Sequence, residues 1–137
     1  MARSSHLRRQ DGFIREILWV ALAITIVALV VLDGMSIFSA HQAVSSDPGR
    51  AAGEARNEYT QTLSLPAAKI AAQQYLSKSD LELVSFSSAQ NAEGAVVFTV
   101  KAKAEAPTYA FKYLRLVPGL KKWVERTTHP TGTGTSE

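Results

Sequence analysis

The feature that most constrains this chain is an apolar run near its start. Residues 17–32 read ILWVALAITIVALVVL, in which Thr25 is the one polar side chain. With its apolar flanks, the run approaches the ~20 residues that an α-helix needs to cross a bilayer. A buried core helix is the alternative, but the rest of the chain offers little apolar material to enclose a helix that is apolar on every side. The sequence therefore predicts a transmembrane helix over residues 14–38, anchored by Ile17, Leu18, Trp19, Val20, Leu22, Ile24, Ile26, Val27, Leu29, Val30, Val31 and Leu32.

The charges on either side of the run predict its orientation. Four arginines precede it, whereas the first charges after it are Asp33 and Asp47. By the positive-inside rule, residues 1–13 form a cytoplasmic basic leader and the chain after residue 38 is extracytoplasmic. The run is longer than the roughly 7–15 residues of a cleaved signal peptide. We expect an uncleaved signal anchor in the plasma membrane, with Asp33 reaching the outer interface.

The remaining residues predict a small α+β domain over 39–128 and a disordered tail over 129–137. Asp47-Pro48 is typical of a cap followed by a first helical position, so a new helix is expected there. Ser64-Leu65-Pro66 repeats the pattern and starts a second alanine-rich helix that runs to about Ser77. Spacing by three and four places Ala67, Ile70, Ala71 and either Gln74 or Tyr75 on its inner face.

Two segments of period two predict strands. Residues 81–87 read LELVSFS, and residues 95–103 alternate with Val96, Phe98, Val100 and Ala102 inward. Residues 108–117 fit a short helix or an aromatic edge segment, and residues 120–128 fit a third strand or a helix. The expected fold is therefore a single N-terminal transmembrane helix, followed by alanine-rich helices packed on a small antiparallel β-hairpin or a three-stranded sheet.

The composition gives enzymatic activity no support. Cysteine is absent, and His6, His41 and His129 lack a spacing that would build a metal site. No serine lies in a nucleophile-elbow context and no glycine-rich phosphate loop occurs. We therefore expect no catalytic, cofactor-binding or metal-binding residue, and no small-molecule substrate is evident.

A basic, aromatic-rich region near the C-terminus is a candidate contact with an anionic surface. On an exported domain, its natural targets are anionic lipid headgroups or acidic wall polymer rather than nucleic acid. An ordinary solvated face is the alternative. The basic side chains are Lys101, Lys103, Lys112, Arg115, Lys121, Lys122 and Arg126.

Gly12, Phe13 and Glu16 form a candidate processing site. In type IV pilins a glycine precedes the cut, a phenylalanine follows it, and a glutamate is the fifth mature residue; here the glutamate would be the fourth. One residue of offset turns a helix by about 100°. The alternative is that Glu16 simply ends the polar flank of the anchor.

The order of these parts resembles the TadE-like minor pilins of tight-adherence pili, especially those of actinobacteria. The resemblance lies in residues 12–32, in AAKIAAQQYL at 67–76, and in VVFTVKAKAEAP at 96–107 followed by LKKWVERTTHP. It implies a membrane-embedded helix that packs against other pilin-like or membrane proteins, in pilus assembly or secretion without catalysis. An accessory subunit of an envelope transport complex, or a module that binds lipid or cell-wall polymer, is the alternative.

Overall fold

A computed structural model describes the backbone of residues 7–136 and the side chains from Gly12 onward. It confirms the α+β class: one long apolar helix, further helices and a three-stranded antiparallel sheet. The elements are α1 (Leu7–Thr62), α2 (Leu65–Lys78), β1 (Leu81–Gln90), β2 (Val96–Ala104), the 3-10 helix (Phe111–Leu116), α3 (Lys121–Thr128) and β3 (Thr131–Thr135).

Helix α1 is continuous over 56 residues, so the predicted break at Asp47-Pro48 is wrong. A proline inside a helix removes one backbone hydrogen bond. Here Pro48 is fully buried, and its packing against the domain offsets that loss. The preceding hydroxyl of Ser45 donates back to the carbonyl of His41 at 2.7 Å and so stays within the helix. Tertiary packing therefore overrides the local stop signal.

The C-terminal half of α1 and helix α2 meet through small side chains. Ala51, Ala52 and Ala55 are fully buried on α1. Helix α2 begins where predicted, with the Ser64 hydroxyl accepting a hydrogen bond from the backbone N–H of Ala67. Alanine surfaces let two helix backbones approach closely, although each side chain buries little area.

The predicted inner face of α2 is wrong by one residue. Ala68, Ala72 and Leu76 are its buried side chains, whereas Ile70 is 54% exposed. One residue corresponds to a rotation of about 100° about the helix axis. The rotation brings Leu76 into the core, where it is among the largest fully buried side chains.

Strand β2 lies at the centre of the sheet, between β1 and β3. Its predicted alternation is confirmed, because Phe98, Val100 and Ala102 are fully buried. The Phe98 ring packs against those of Tyr59 and Phe86, with both centroid distances 5.5 Å. This cluster fixes the sheet onto the C-terminal half of α1.

The tail predicted to be disordered forms strand β3 instead. Thr131–Thr135 reads TGTGT and pairs antiparallel with β2. A Cβ atom added at Gly132 would lie 1.7 Å from the carbonyl oxygen of Val44, and one at Gly134 would lie 2.0 Å from the backbone nitrogen of Gly49. The strand backbone therefore rests directly on the α1 backbone, which only residues without a side chain allow.

The proline in α1 and the glycines in β3 are parts of one contact. The carbonyl of Val44 is the acceptor that a residue with an N–H at position 48 would have used, and Pro48 has none. Gly132 lies against this freed carbonyl. Pro48 and Gly132 thus meet at the same carbonyl of α1.

The two segments left open by the sequence are both helical. Residues 111–116 form the 3-10 helix and residues 121–128 form α3. Pro118-Gly119 makes the predicted turn between them, with Gly119 at φ 89°. The backbone N–H of Ala106 donates to the carbonyl of Thr128 at 2.8 Å, which ties α3 back to the end of the sheet.

Candidate membrane and assembly interface

The N-terminal half of α1 extends away from the domain with its apolar side chains exposed. Leu18, Trp19 and Val20 are all exposed although they are consecutive. Successive helix residues point about 100° apart, so the whole circumference is apolar. The other predicted anchor residues are exposed too, except that Leu29 is half-buried: Ile17, Leu22, Ile24, Ile26, Val27, Val30, Val31 and Leu32.

Within the described residues, one helix is long and apolar enough to cross a membrane, and it lies near the N-terminus. Only 6% of its most apolar window is buried. A core helix of a soluble protein would be mostly buried, so the low burial argues against that alternative. Extended apolar surfaces of this kind mark membrane or protein interfaces.

The polar side chain inside the apolar run is satisfied within the helix. The Thr25 hydroxyl donates to the carbonyl of Ala21 at 2.9 Å. A polar group facing hydrocarbon needs an internal partner because no water is available there. Thr25 therefore poses no obstacle to a lipid environment.

Asp33 joins the end of the apolar run to the domain. One carboxylate oxygen accepts the backbone N–H of Tyr109 at 2.6 Å, and the other accepts those of Ala110 and Phe111 at 2.7 and 2.8 Å. The residue is fully buried. The Asp33 side chain therefore points into the protein, whereas the sequence predicted that it extends outward into the interface.

The three N–H groups bound by Asp33 belong to the start of the 3-10 helix. The first N–H groups of a helix have no partner within it, and a carboxylate is the strongest acceptor for them. No side chain of the segment itself caps the 3-10 helix. Asp33 supplies that cap from a residue more than seventy positions earlier, which fixes residues 109–111 at the level of α1 where the apolar run ends.

The predicted basic residues divide between two places. Lys101 and Lys103 lie on β2, and the Lys103 ammonium pairs with the Glu82 carboxylate at 3.1 Å. The others lie on the 3-10 helix and α3, and all of their side chains are exposed: Lys112, Arg115, Lys121, Lys122 and Arg126. The structure thus places five of the seven on two neighbouring helices, the first of which begins at the residues bound by Asp33.

Aromatic and apolar side chains are exposed among these five cations. Tyr113 is 62% and Trp123 is 51% exposed, and Leu116 is the most exposed of the large apolar residues. The Trp123 ring packs against that of Phe111 at 6.0 Å, which orients it. We call the exposed side chains of residues 109–126 the junction surface.

The candidate processing residues lie within α1. Gly12, Phe13 and Glu16 are exposed, and the helix continues back to Leu7, inside the segment predicted to be a leader. Residues 1–6 of that leader lie outside the described residues, as do the side chains of residues 7–11. Cleavage after Gly12 stays a prediction.

Among the side chains described, no group of three histidine, cysteine, aspartate or glutamate residues could hold a metal ion. His41 donates through Nε2 to the carbonyl of Thr127 at 3.1 Å, which links α1 to α3. His129 lies 3.6 Å from the Glu105 carboxylate. Both histidines therefore have structural contacts, and His6 lies outside the described residues.

Comparison of the chain with protein-family models, with curated proteins and with solved structures finds no match.

Proposed function

We propose that this protein is a single-pass membrane-anchored assembly protein, and that it acts as a TadE-like minor pilin in a pilus or secretion system. The observation that carries the proposal is the division of α1 into two halves. One half forms the core of a small domain, and the other half extends from it with an exposed apolar circumference. Such a helix requires lipid or other apolar helices around it.

The same helix suits both surroundings. Its polar groups are satisfied internally, so it is stable in hydrocarbon. In a bilayer the hydrophobic effect does not drive apolar helices together, but the helices still associate through van der Waals packing. A subunit held in the bilayer by this half of α1 would therefore move into a bundle of like helices without refolding, and its domain would lie on the outside of the bundle.

The processing part of the proposal is tested by mass spectrometry of the natural amino terminus. A mature chain that begins at Phe13 supports a pilin-type subunit. An intact leader would favour the accessory subunit of an envelope transport complex instead. Protease added to intact cells should reach the domain and spare residues before the anchor; the opposite pattern would refute the proposed orientation.

The assembly part is tested by site-specific cross-linking, which the absence of cysteine makes clean. Ile24→Cys places one thiol on the exposed apolar half of α1. The matched control is Gln73→Cys, an exposed position on α2. We expect Ile24→Cys, and not the control, to form disulfide-linked dimers with itself or adducts with another membrane protein in cells under oxidant. No adduct above the control would contradict helix-mediated assembly.

A further inference from the structure

We propose that the junction surface lies on the membrane and binds anionic lipid headgroups. The occupant is the bilayer in which α1 is anchored, so the inference rests on the anchoring part of the proposed function and is independent of pilus assembly. Three observations carry it: the height of this surface along α1, its charge, and its exposed aromatic side chains.

The height follows from the helix rise. From Phe13 to Asp33, α1 advances about 30 Å, the thickness of a hydrocarbon core. Asp33 therefore lies at one boundary of that core when Phe13 lies at the other. Its carboxylate holds the backbone of residues 109–111 at the same level. The start of the junction surface, with the Trp123 ring packed against Phe111, is thus placed at the lipid headgroups.

The charge of this surface matches an anionic leaflet. Residues 111–128 contain the five exposed cations and a single acidic residue, Glu125. Each lysine or arginine near an anionic surface contributes about 1 kcal/mol of attraction, equal to about a fivefold change in an equilibrium constant. Of the two cations elsewhere in the predicted set, Lys103 is already paired with Glu82. The attraction is therefore concentrated at the junction.

The aromatic residues match the same layer. Tyrosine and tryptophan are enriched where membrane meets water, because one end of each ring is apolar and the other is polar. Tyr109, Tyr113 and Trp123 are more than half exposed, although each is large enough to be buried in a domain core. The Lys112 ammonium lies 5.2 Å from the centre of the Tyr113 ring, so cation and ring share one surface. An ordinary solvated face explains the cations but leaves the exposed aromatic side chains without a role.

The experiment uses the full chain in lipid vesicles with Trp123 as the reporter. The chain has two tryptophans, so Trp19→Phe leaves Trp123 alone. Vesicles are made of phosphatidylcholine, with or without phosphatidylglycerol, and contain lipid brominated near the headgroup end of its chains. We expect Trp123 fluorescence to be quenched and blue-shifted in the anionic vesicles, and quenching to fall as salt is raised.

Charge reversal separates the junction surface from general attraction. In the double variant Lys121→Glu/Lys122→Glu, the ratio of domain bound to the lipid surface to domain free of it should fall by well over the fivefold expected for one cation. Lys69→Glu with Lys78→Glu, on α2, is the control with the same change in charge and should leave quenching unchanged. Circular dichroism of both double variants checks that the domain is folded.

Each outcome decides something. A chain that fails to float with neutral vesicles overturns both the anchor and this inference. A chain that floats with Trp123 unquenched in anionic vesicles overturns the inference alone. Quenching that is equal in neutral and anionic vesicles refutes headgroup recognition. Shielding of Trp123 that grows with protein density rather than with lipid charge would assign this surface to a second copy of the chain and likewise refute it.

Discussion

Replacing Gly132 by alanine should weaken the domain by an amount set by the contact between β3 and α1. The added Cβ would lie 1.7 Å from the carbonyl oxygen of Val44 and 3.1 Å from its Cβ, whereas Cβ atoms essentially never come closer than 3.0 Å to a neighbour. Both sides of the contact are backbone, so no side chain can rotate away. The strand must move outward by more than about 1 Å in an interior packed without slack.

Overpacking of this kind costs about 1–3 kcal/mol. Gly134→Ala meets the Gly49 backbone nitrogen at 2.0 Å and should cost a similar amount. Because β3 is an edge strand, the cost reaches an upper limit when the strand detaches from α1. At that limit the amides of β2 that face β3, Val100 and Ala102, lose their acceptors and should exchange with solvent, whereas those that face β1 stay protected.

The assay is urea denaturation of the full chain in mild detergent, together with hydrogen exchange of the β2 amides. Gly53→Ala is the matched control, because the same substitution in α1 meets no atom within 4 Å. It should stabilise the protein by about 0.5–1 kcal/mol, as alanine does in a helix interior. If Gly132→Ala had the stability and exchange pattern of the natural chain, the proposed backbone contact would be refuted.

Two further substitutions test the junction and the core. Asp33→Ala removes the acceptor of three partly buried hydrogen bonds, and it should favour opening of the segment that follows residue 108 by about 1–3 kcal/mol. Trypsin should then cut at Arg115 far faster, whereas the exposed control Ser39→Ala should be cut at the natural rate. Leu76→Ala should lower the free energy of unfolding by about 2–5 kcal/mol, because the side chain is fully buried, whereas Ile70→Ala should change it by less than about 0.5 kcal/mol. Equal effects of the two α2 substitutions in urea denaturation would show that the assigned face of the helix is wrong.

Local patterns predicted the elements whose neighbours follow from their own periodicity. The alternation over residues 95–103 identifies β2 and its buried face, because a strand with one wet side must alternate. Ser64, followed by Leu65-Pro66, identifies the start of α2, because a capping side chain satisfies backbone N–H groups within a single turn. In both cases the decisive interaction lies inside the segment, so the sequence contains it.

Apart from the one-residue error on α2, the errors occurred where the decisive interaction is distant along the chain. From the sequence, Pro48 predicts a helix start and residues 131–135 predict a disordered tail. The structure differs at both places because the β3 backbone packs directly on the α1 backbone. Asp33 reads as an interfacial carboxylate, because its partners lie more than seventy residues later. Two features of the sequence point to these distant contacts. A carboxylate directly after an apolar run needs a hydrogen-bond donor. Glycines spaced by two leave one face of a strand without side chains, so that another backbone can approach it.

The unbroken course of α1 has a mechanical consequence. Without a flexible joint between its apolar half and its domain half, rotation of the helix about its long axis turns the sheet through the same angle. The Asp33 contact prevents the domain from swivelling independently at the level where such a joint would be expected. In a bundle of such helices, the face of α1 that contacts the neighbouring helices would therefore set the orientation of every domain.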